Sequence, residues 1–385
     1  MAGSIEERGK DCWRLVVSGG RDANGARIKH RRVFHGGKRE AEKALAAFIV
    51  EIERGEYIKP QNMYVRDYLK QWLKDYTLPN TAAQTYERYE QLLRKYAYNT
   101  VGKYPLNQVK APHFQRLYND LQSNKYGLSG TTILQLHRIL AKAFKTACEW
   151  QLLSKNPMEY VKAPHKSDKE INVITEEQAG IMLEKAQEEG PLWFYALVAL
   201  ATVGGLRRGE LLSLRWQDVD FNKNTISVTQ NLQRIKGKGV SFKAPKTKKS
   251  RRTIALPGDM MELLKQQKVE QNRQRLIAGT LWQDNDLVLA GTFGKPLCPD
   301  YISHLFKVFI ERNNLPPVTL HGLRHSAASI LIAKGVHAKG ISSRLGHSGI
   351  QITMNTYGKF FESADREAAN KMSGMLPKVK TAIRD

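Results

Sequence analysis

The stretch Leu320–Lys359, LHGLRHSAASILIAKGVHAKGISSRLGHSGIQITMNTYGK, constrains the fold most. Its run SAASILIAKG is apolar enough to require burial as a helix. His321 and Arg324 stand at the head of that run, three residues apart and therefore on one helix face. Gly335 is expected to stop the helix, SSRLGH to start a second short element, and Tyr357 to follow on a polar, β-branched connection. An arginine, the imidazoles of His321 and His347, and a tyrosine near one point are poor core material but suit phosphate chemistry. Arginine offers a planar fork that matches phosphate oxygens. Imidazole donates a hydrogen bond or moves a proton near neutral pH, and a tyrosine oxygen can form a covalent intermediate. Singly, each residue has an ordinary reading: a packed or capping His, an amphipathic Tyr, a solvated Arg. The ordered set H-x-x-R, L-G-H, Tyr is what argues for chemistry.

A second half of this constellation lies upstream, in GGLRRGELLSLRWQDVDF from Gly204 to Phe221. Gly204 and Gly205 permit a tight turn before a helix led by Leu206, with Arg207 in its first turn and Glu210 three residues on. Trp216, Val219 and Phe221 lead into a strand. Ile226 and Val228 mark the next strand, and Arg252 to Leu256 another, with the lysine-rich tip PKTKKS (Pro245 to Ser250) between them. Taken alone, such a tip reads first as a solvated turn. GGLRRGE is no phosphate-cradling glycine loop, because it lacks G-K-[ST] and a preceding strand.

A chain of 385 residues is long enough for two or three domains with real cores. Its formal net charge of +24, from 61 Lys plus Arg against 37 Asp plus Glu, favours a polyanionic partner touched by several regions. Cys12, Cys148 and Cys298 are isolated, which excludes a disulfide scaffold or zinc ribbon and fits a reducing compartment. The charged start has no signal-peptide pattern. No apolar run approaches the roughly twenty residues of a membrane span, so no membrane partner is expected.

Three parts follow in chain order. Residues 1–57 read as a small α+β unit. It has a short strand in Ser4 to Arg8, strands Trp13 to Val17 and Arg27 to Phe34, and an amphipathic helix Lys38 to Arg54. Period-two alternation puts Arg27, Lys29 and Arg31 on one strand face and Ile28 and Phe34 on the other. That basic face can enter a DNA groove or simply be a charged, solvated edge. Residues 63–160 read as an all-α basic bundle, with apolar stripes near Tyr68, Tyr89, Leu117 and Phe144 and with Lys142 and Lys145 on its last and longest helix. After a polar linker with two prolines, residues 172–385 form the last part, entered by the helix-start pattern Thr-Glu-Glu-Gln at Thr175. The expected fold is multidomain: a small α+β domain, an all-α domain, and a mainly α domain with a small antiparallel sheet.

GGLRRGELLSLRW, PKTKKSRRTIALP, HGLRH, LGH and the Tyr of NTYGK, in this order, resemble the phage integrase or tyrosine recombinase family. The N-terminal unit is similar to the arm-binding domain of integrases from temperate phages and conjugative transposons. By position, the resemblance implies that Arg207 and Arg324 clamp the phosphate and that Lys246 donates a proton to the leaving oxygen. It implies that His321 and His347 assist, Tyr357 is the nucleophile, and Glu210 supports Arg207. It implies arm-binding, core-binding and catalytic domains for the three parts, and a site-specific recombinase that works through a 3′-phosphotyrosine. No cofactor and no metal are required: cationic side chains neutralise the oxyanion. The implied partners are double-stranded DNA at core and arm sites, an excisionase, a DNA-bending host protein, and three further copies of the chain. The implied location is the bacterial cytoplasm, at the nucleoid.

Beyond Tyr357, the residues Phe360, Phe361, Ala364, Ala368 and Met372 recur at helical spacing. That helix is expected either to pack on its own domain or to dock into a neighbouring protomer and close a tetramer. Two other functional readings stand beside an integrase: a type IB topoisomerase acting as a monomer, and a DNA-binding regulator without catalysis.

Overall fold

The computed structural model describes the chain except at positions 1, 22–24, 55–56, 58–62, 124–125, 168–171, 236, 238, 245–250, 347–348, 352–353, 355–371 and 374–385. Lys246, His347, Tyr357 and the tail helix expected after it lie outside the described residues, apart from Met372. The chain divides into two compact units, Met1–Asp168 and Lys169–Asp385.

In the first unit, β1 (Gly3–Gly9), β2 (Cys12–Arg21) and β3 (Arg27–His35) form an antiparallel sheet in the order β1-β2-β3, followed by α1 (Lys38–Glu53). The register pairs Ile5 with Leu15 and Leu15 with Arg32, which puts them on one face with Val17 and Phe34. That face packs on Ala41, Phe48 and Ile52 of α1. Arg32 lies on this covered side: its guanidinium stands 4.3 Å over the Phe48 ring and pairs with Glu51 at 2.8 Å. The other face is open and carries exposed Arg27, Lys29 and Arg31, as the alternation predicts, with Arg14 opposite exposed Val33.

The helical part contains α2 (Val65–Trp72), α3 (Leu78–Asn80), α4 (Ala83–Leu92), α5 (Ala111–Gln122) and α6 (Gly130–Glu149). The apolar stripe near Tyr89 is helical as expected, but α4 gives way to a π turn over Leu93–Ala97. A second π turn, Leu73–Thr77, follows α2. Their wide hydrogen bonds, Tyr98 N–H to Leu93 O and Leu78 N–H to Leu73 O, admit an extra residue per turn. At the end of α4, Leu92, Leu93, Tyr96 and Ala97 are all buried. Trp72 stacks on Tyr76 and Tyr89 at 6.0 and 6.1 Å, and Phe114 meets Phe144 edge-on at 5.2 Å.

The second unit begins with α7 (Glu176–Glu189), where Thr175 and Gln178 cap each other's backbone as the Thr-Glu-Glu-Gln pattern predicts. Then come apolar α8 (Leu192–Thr202), buried from Ala196 to Thr202, and the single turn α9 (Arg208–Leu211). Arg207 is the N-cap of that turn, one position ahead of the expected first turn. The strands β4 (Val219–Asp220), β5 (Thr225–Val228), β6 (Asn231–Ile235), β7 (Gly239–Lys243) and β8 (Arg252–Ala255) form an antiparallel sheet, β4-β5-β8, and a separate β6-β7 hairpin. β5 and β8 pair directly, as the sequence expectation has it, but between them the chain first makes the β6-β7 hairpin, whose NLQRI and GVSFK strands the sequence expectation does not include.

Next are α10 (Gly258–Ala278), α11 (Pro299–Arg312), α12 (Leu320–Ala333) and α13 (Ala338–Leu345). Gly335, at φ +75°, follows α12 as expected. Ser342 to Leu345 end α13 rather than start an element: His337 caps its first turn through Nδ1, and Gly346 closes it in the left-handed conformation at φ +64°. The described part of the chain is thus helical with small antiparallel sheets.

Phe144→Ala would remove the ring that Phe114 packs against and should cost about 3–5 kcal/mol in the bundle. Hydrogen exchange of the α5 and α6 amides should accelerate accordingly, and unchanged exchange would mean that the bundle does not rest on this contact.

Candidate active site

Glu210 lies at the centre of the site with 5% of its side chain exposed. Its one-turn helix turns the carboxylate back on Arg207: Oε2 accepts from the Arg207 backbone N–H at 3.0 Å and Oε1 from Arg207 Nη1 at 2.8 Å. Arg252, at the start of β8, donates to the same two oxygens, Nη2 to Oε2 at 2.8 Å and Nη1 to Oε1 at 3.2 Å. Burial pushes the Glu210 carboxyl upward, but the hydrogen bonds and charge of Arg252, then of Arg207, outweigh it and hold the group below its usual value. Arg207 keeps 36% of its side chain open to solvent.

The end of α13 is the second anchor. A helix leaves its last carbonyls without helical partners. Three arginines from three elements take them in turn: Arg252 Nε donates to Arg344 O at 2.6 Å, Arg324 Nη2 to Leu345 O at 2.5 Å, and Arg207 Nη2 to Gly346 O at 3.1 Å. Arg324, 2% exposed on α12, also donates from Nη1 to Gly205 O at 2.8 Å. Gly205 has φ +63°, which favours glycine, and a Cβ there would stand 2.8 Å from Leu345 Cδ2. Arg344 turns away, donating to Ala255 O and Val203 O at 3.0 and 2.9 Å.

His321 and Arg324 share the first turns of α12, which Thr319 caps through a 3.0 Å bond from Gly322 N–H. Burial, then the charges of Arg324 and Arg207, hold His321 below its ordinary value. His325 meets the His321 ring edge-on at 4.7 Å. Burial, then His321 and Arg324, push it down to about 4. Both imidazoles are therefore neutral at pH 7, and a neutral imidazole donates from one ring nitrogen only.

Arg207, Glu210, His321 and Arg324 are thus brought together, as the sequence expectation required. Lys246, His347 and Tyr357 lie outside the described residues; Gly346 O, which Arg207 holds, immediately precedes His347 in the chain. Lys142 sits over the Tyr76 ring at 5.2 Å, and Lys145 pairs loosely with Glu149 at 4.0 Å. Among the described residues, no group of three His, Cys, Asp or Glu could hold a metal ion, and no helix is long and apolar enough to cross a membrane. The sequence reading missed Arg252. Its signal was the alternation of RTIAL, which puts Arg252 on the buried face of Ile254 and Leu256.

Residues 172–362 match the phage integrase family, and residues 64–122 match the N-terminal SAM-like domain of phage integrases. A XerC-like tyrosine recombinase of Caldanaerobacter subterraneus subsp. tengcongensis is 30% identical over 372 residues, 91% of this chain and 93% of that protein. The chain belongs to the phage integrase family of tyrosine recombinases. An integrase of Streptomyces ambofaciens is also 30% identical, over 94% of this chain and 93% of its own length. The ICEBs1 integrase of Bacillus subtilis is 28% identical over 65% of this chain and 67% of its own. The fold is shared with the Tn1549 transposon integrase in complex with a circular intermediate DNA, at TM-score 0.68 and 24% identity over 80% of this chain and 99% of that one. It is also shared with the lambda integrase tetramer bound to a Holliday junction, at TM-score 0.56 and 18% identity over 90% and 95%. As a member of this family, the chain is a DNA-cleaving and rejoining enzyme.

His325 gives the site a pH limit. Its unfolded-state pKa is about 6.5, and in the folded chain it falls to about 4. Between these values the unfolded chain binds the extra proton, so stability is lost as pH falls through that window. The melting temperature should drop between pH 6.5 and 4, and less steeply in His325→Gln. Parallel curves for the two proteins would mean that His325 does not titrate on unfolding.

Proposed function

We propose that this integrase cuts and rejoins double-stranded DNA at defined sites to integrate and excise a mobile element. Arg207 and Arg324 hold the reacting phosphate, and Tyr357 is the nucleophile. One observation carries the reading: Arg207 and Arg324, from distant parts of the sequence, converge on consecutive carbonyls at the head of the segment that continues to His347 and Tyr357. The Tyr357 hydroxyl gives up its proton to water as its oxygen attacks phosphorus and becomes bonded to the 3′ phosphate, while the bond to the 5′ oxygen breaks. The leaving oxygen takes a proton, the role assigned to Lys246. The two guanidiniums, with His321 and His347 donating, balance the charge that builds on the phosphate oxygens. The phosphotyrosine keeps the phosphodiester energy, so a 5′ hydroxyl from another strand reverses the step and seals the new junction. Glu210 holds Arg207 for this work.

Residues 1–57 act as an arm-site reader, 63–160 as the core-site bundle, with Lys142 and Lys145 toward the backbone, and 172–385 as the catalytic domain. The open sheet face with Arg27, Lys29 and Arg31 supports the first assignment, since an antiparallel sheet of this size fits a major groove. On DNA the chain works as a tetramer closed by exchange of the tail beyond Tyr357, with an excisionase and a DNA-bending protein setting direction. The lambda integrase tetramer on a Holliday junction supports four copies.

Tyr357→Phe should bind DNA from the boundaries of the element carrying the gene, yet form no covalent adduct on a nicked version of it. Adduct at the unsubstituted level on a denaturing gel would assign the attack to another residue. Lys29→Ala with Arg31→Ala should flatten the salt dependence of arm-site binding, lowering the slope of log K against log salt by about 2. An unchanged slope would remove the sheet from the arm-site interface.

A further inference from the structure

We propose that Arg252 is a positioning residue for strand cleavage: its guanidinium holds Glu210, and through it Arg207, against the backbone at the end of α13. The inference rests on the recombinase reading above and adds a residue to it. Arg252 is 6% exposed, and its three described bonds go to Glu210 and to the Arg344 carbonyl, the contacts of a residue that holds its neighbours in place.

The connections run through three elements. From β8, Nη1 and Nη2 grip both oxygens of Glu210 on α9, and Nε donates to Arg344 O on α13. Glu210 in turn holds the backbone and the guanidinium of Arg207. The open edge of Arg207 therefore takes its direction from a carboxylate that Arg252 has already fixed. The same guanidinium ties the start of β8, just after the 245–250 stretch with Lys246, to the carbonyl three residues before His347.

Charge balance alone does not account for Arg252. Glu210 already has Arg207 as a counter-charge, so a second guanidinium leaves this group with a net positive charge. Stability by itself would favour an apolar side chain over a buried ionic cluster. What Arg252 adds is geometry, three bonds from one planar fork, which the single ammonium of a lysine cannot reproduce. Gly346 fits closely beside it: a Cβ there would stand 2.9 Å from Arg252 Cδ and Nη1.

The test uses the full chain on nicked DNA carrying the joined ends of the element that flanks its gene. Half-site affinity is read on native gels, the adduct rate at saturating DNA on denaturing gels, and folding by melting temperature. Arg252→Gln should bind normally and form adduct on the order of ten- to a hundredfold more slowly, as when other outer partners of a reacting group are removed. Arg252→Lys should fall between the two. In an Arg207→Lys background, Arg252→Gln should cost much less, because the guanidinium it positions is gone. If the Gln variant fails to fold, Arg252→Lys carries the test: slower adduct formation at an unchanged melting temperature supports the proposal, and the unsubstituted rate overturns it. The same fold-loss with and without Arg207, matched by lost stability, would reduce Arg252 to a packing role and overturn the proposal. No adduct from the unsubstituted chain would overturn the reading of the site itself, whereas normal adduct from both Arg252 variants overturns only the role of Arg252.

Discussion

The end of α13 is the contact on which the site depends. Its last carbonyls point out of the helix with partial negative charge, and buried carbonyls of this kind must find donors. Here the donors are the guanidiniums of Arg252, Arg324 and Arg207, which come from β8, α12 and the turn before α9. Each arginine crosses to α13, so three segments far apart in sequence are held to one helix end. The site is therefore the place where the tertiary structure of the second unit is knotted, and the groups proposed for chemistry are part of that knot.

The same arrangement explains how so much positive charge is tolerated. Glu210 neutralises part of it from below, and the helix end supplies partial negative charge beside it. What is left over faces the open side, where Arg207 is part-exposed. In the proposed reaction, a phosphate there would meet a field that the protein has already stabilised, so little reorganisation would be needed as charge builds. His321, held neutral by burial and by these arginines, adds a donor without adding a further charge.

Much of this was legible in the sequence, for identifiable reasons. His321 and Arg324 could be placed together because three-residue spacing on a helix leaves little choice, and the α7 start could be read from Thr175 and Gln178 because capping is local chemistry. The basic face of β3 followed from alternation alone. What escaped reading depended on partners distant in the chain. Arg252 shows as one more cation in a basic run until β8 is seen to turn it inward with Ile254. The π turns at Leu73–Thr77 and Leu93–Ala97 answer to the packing of the bundle, which a local helical period does not contain. The boundary of α13 was misplaced because Gly346 was read as part of a motif and its left-handed stop overlooked.

The acceptors that seat Arg207 and Arg324 in this site include Gly205 O, Leu345 O and Gly346 O, every one a main-chain oxygen. Substitution cannot delete such an atom; it can only move the path of the backbone that carries it. Evolutionary drift at position 345 is thus free to change side-chain size within packing limits while the seat for the guanidinium persists. The burden of inheritance shifts to residues that shape the path, Gly205 at φ +63° and Gly346 at φ +64°. In a lineage of such enzymes, a side chain at either position would strain the backbone that carries these acceptors.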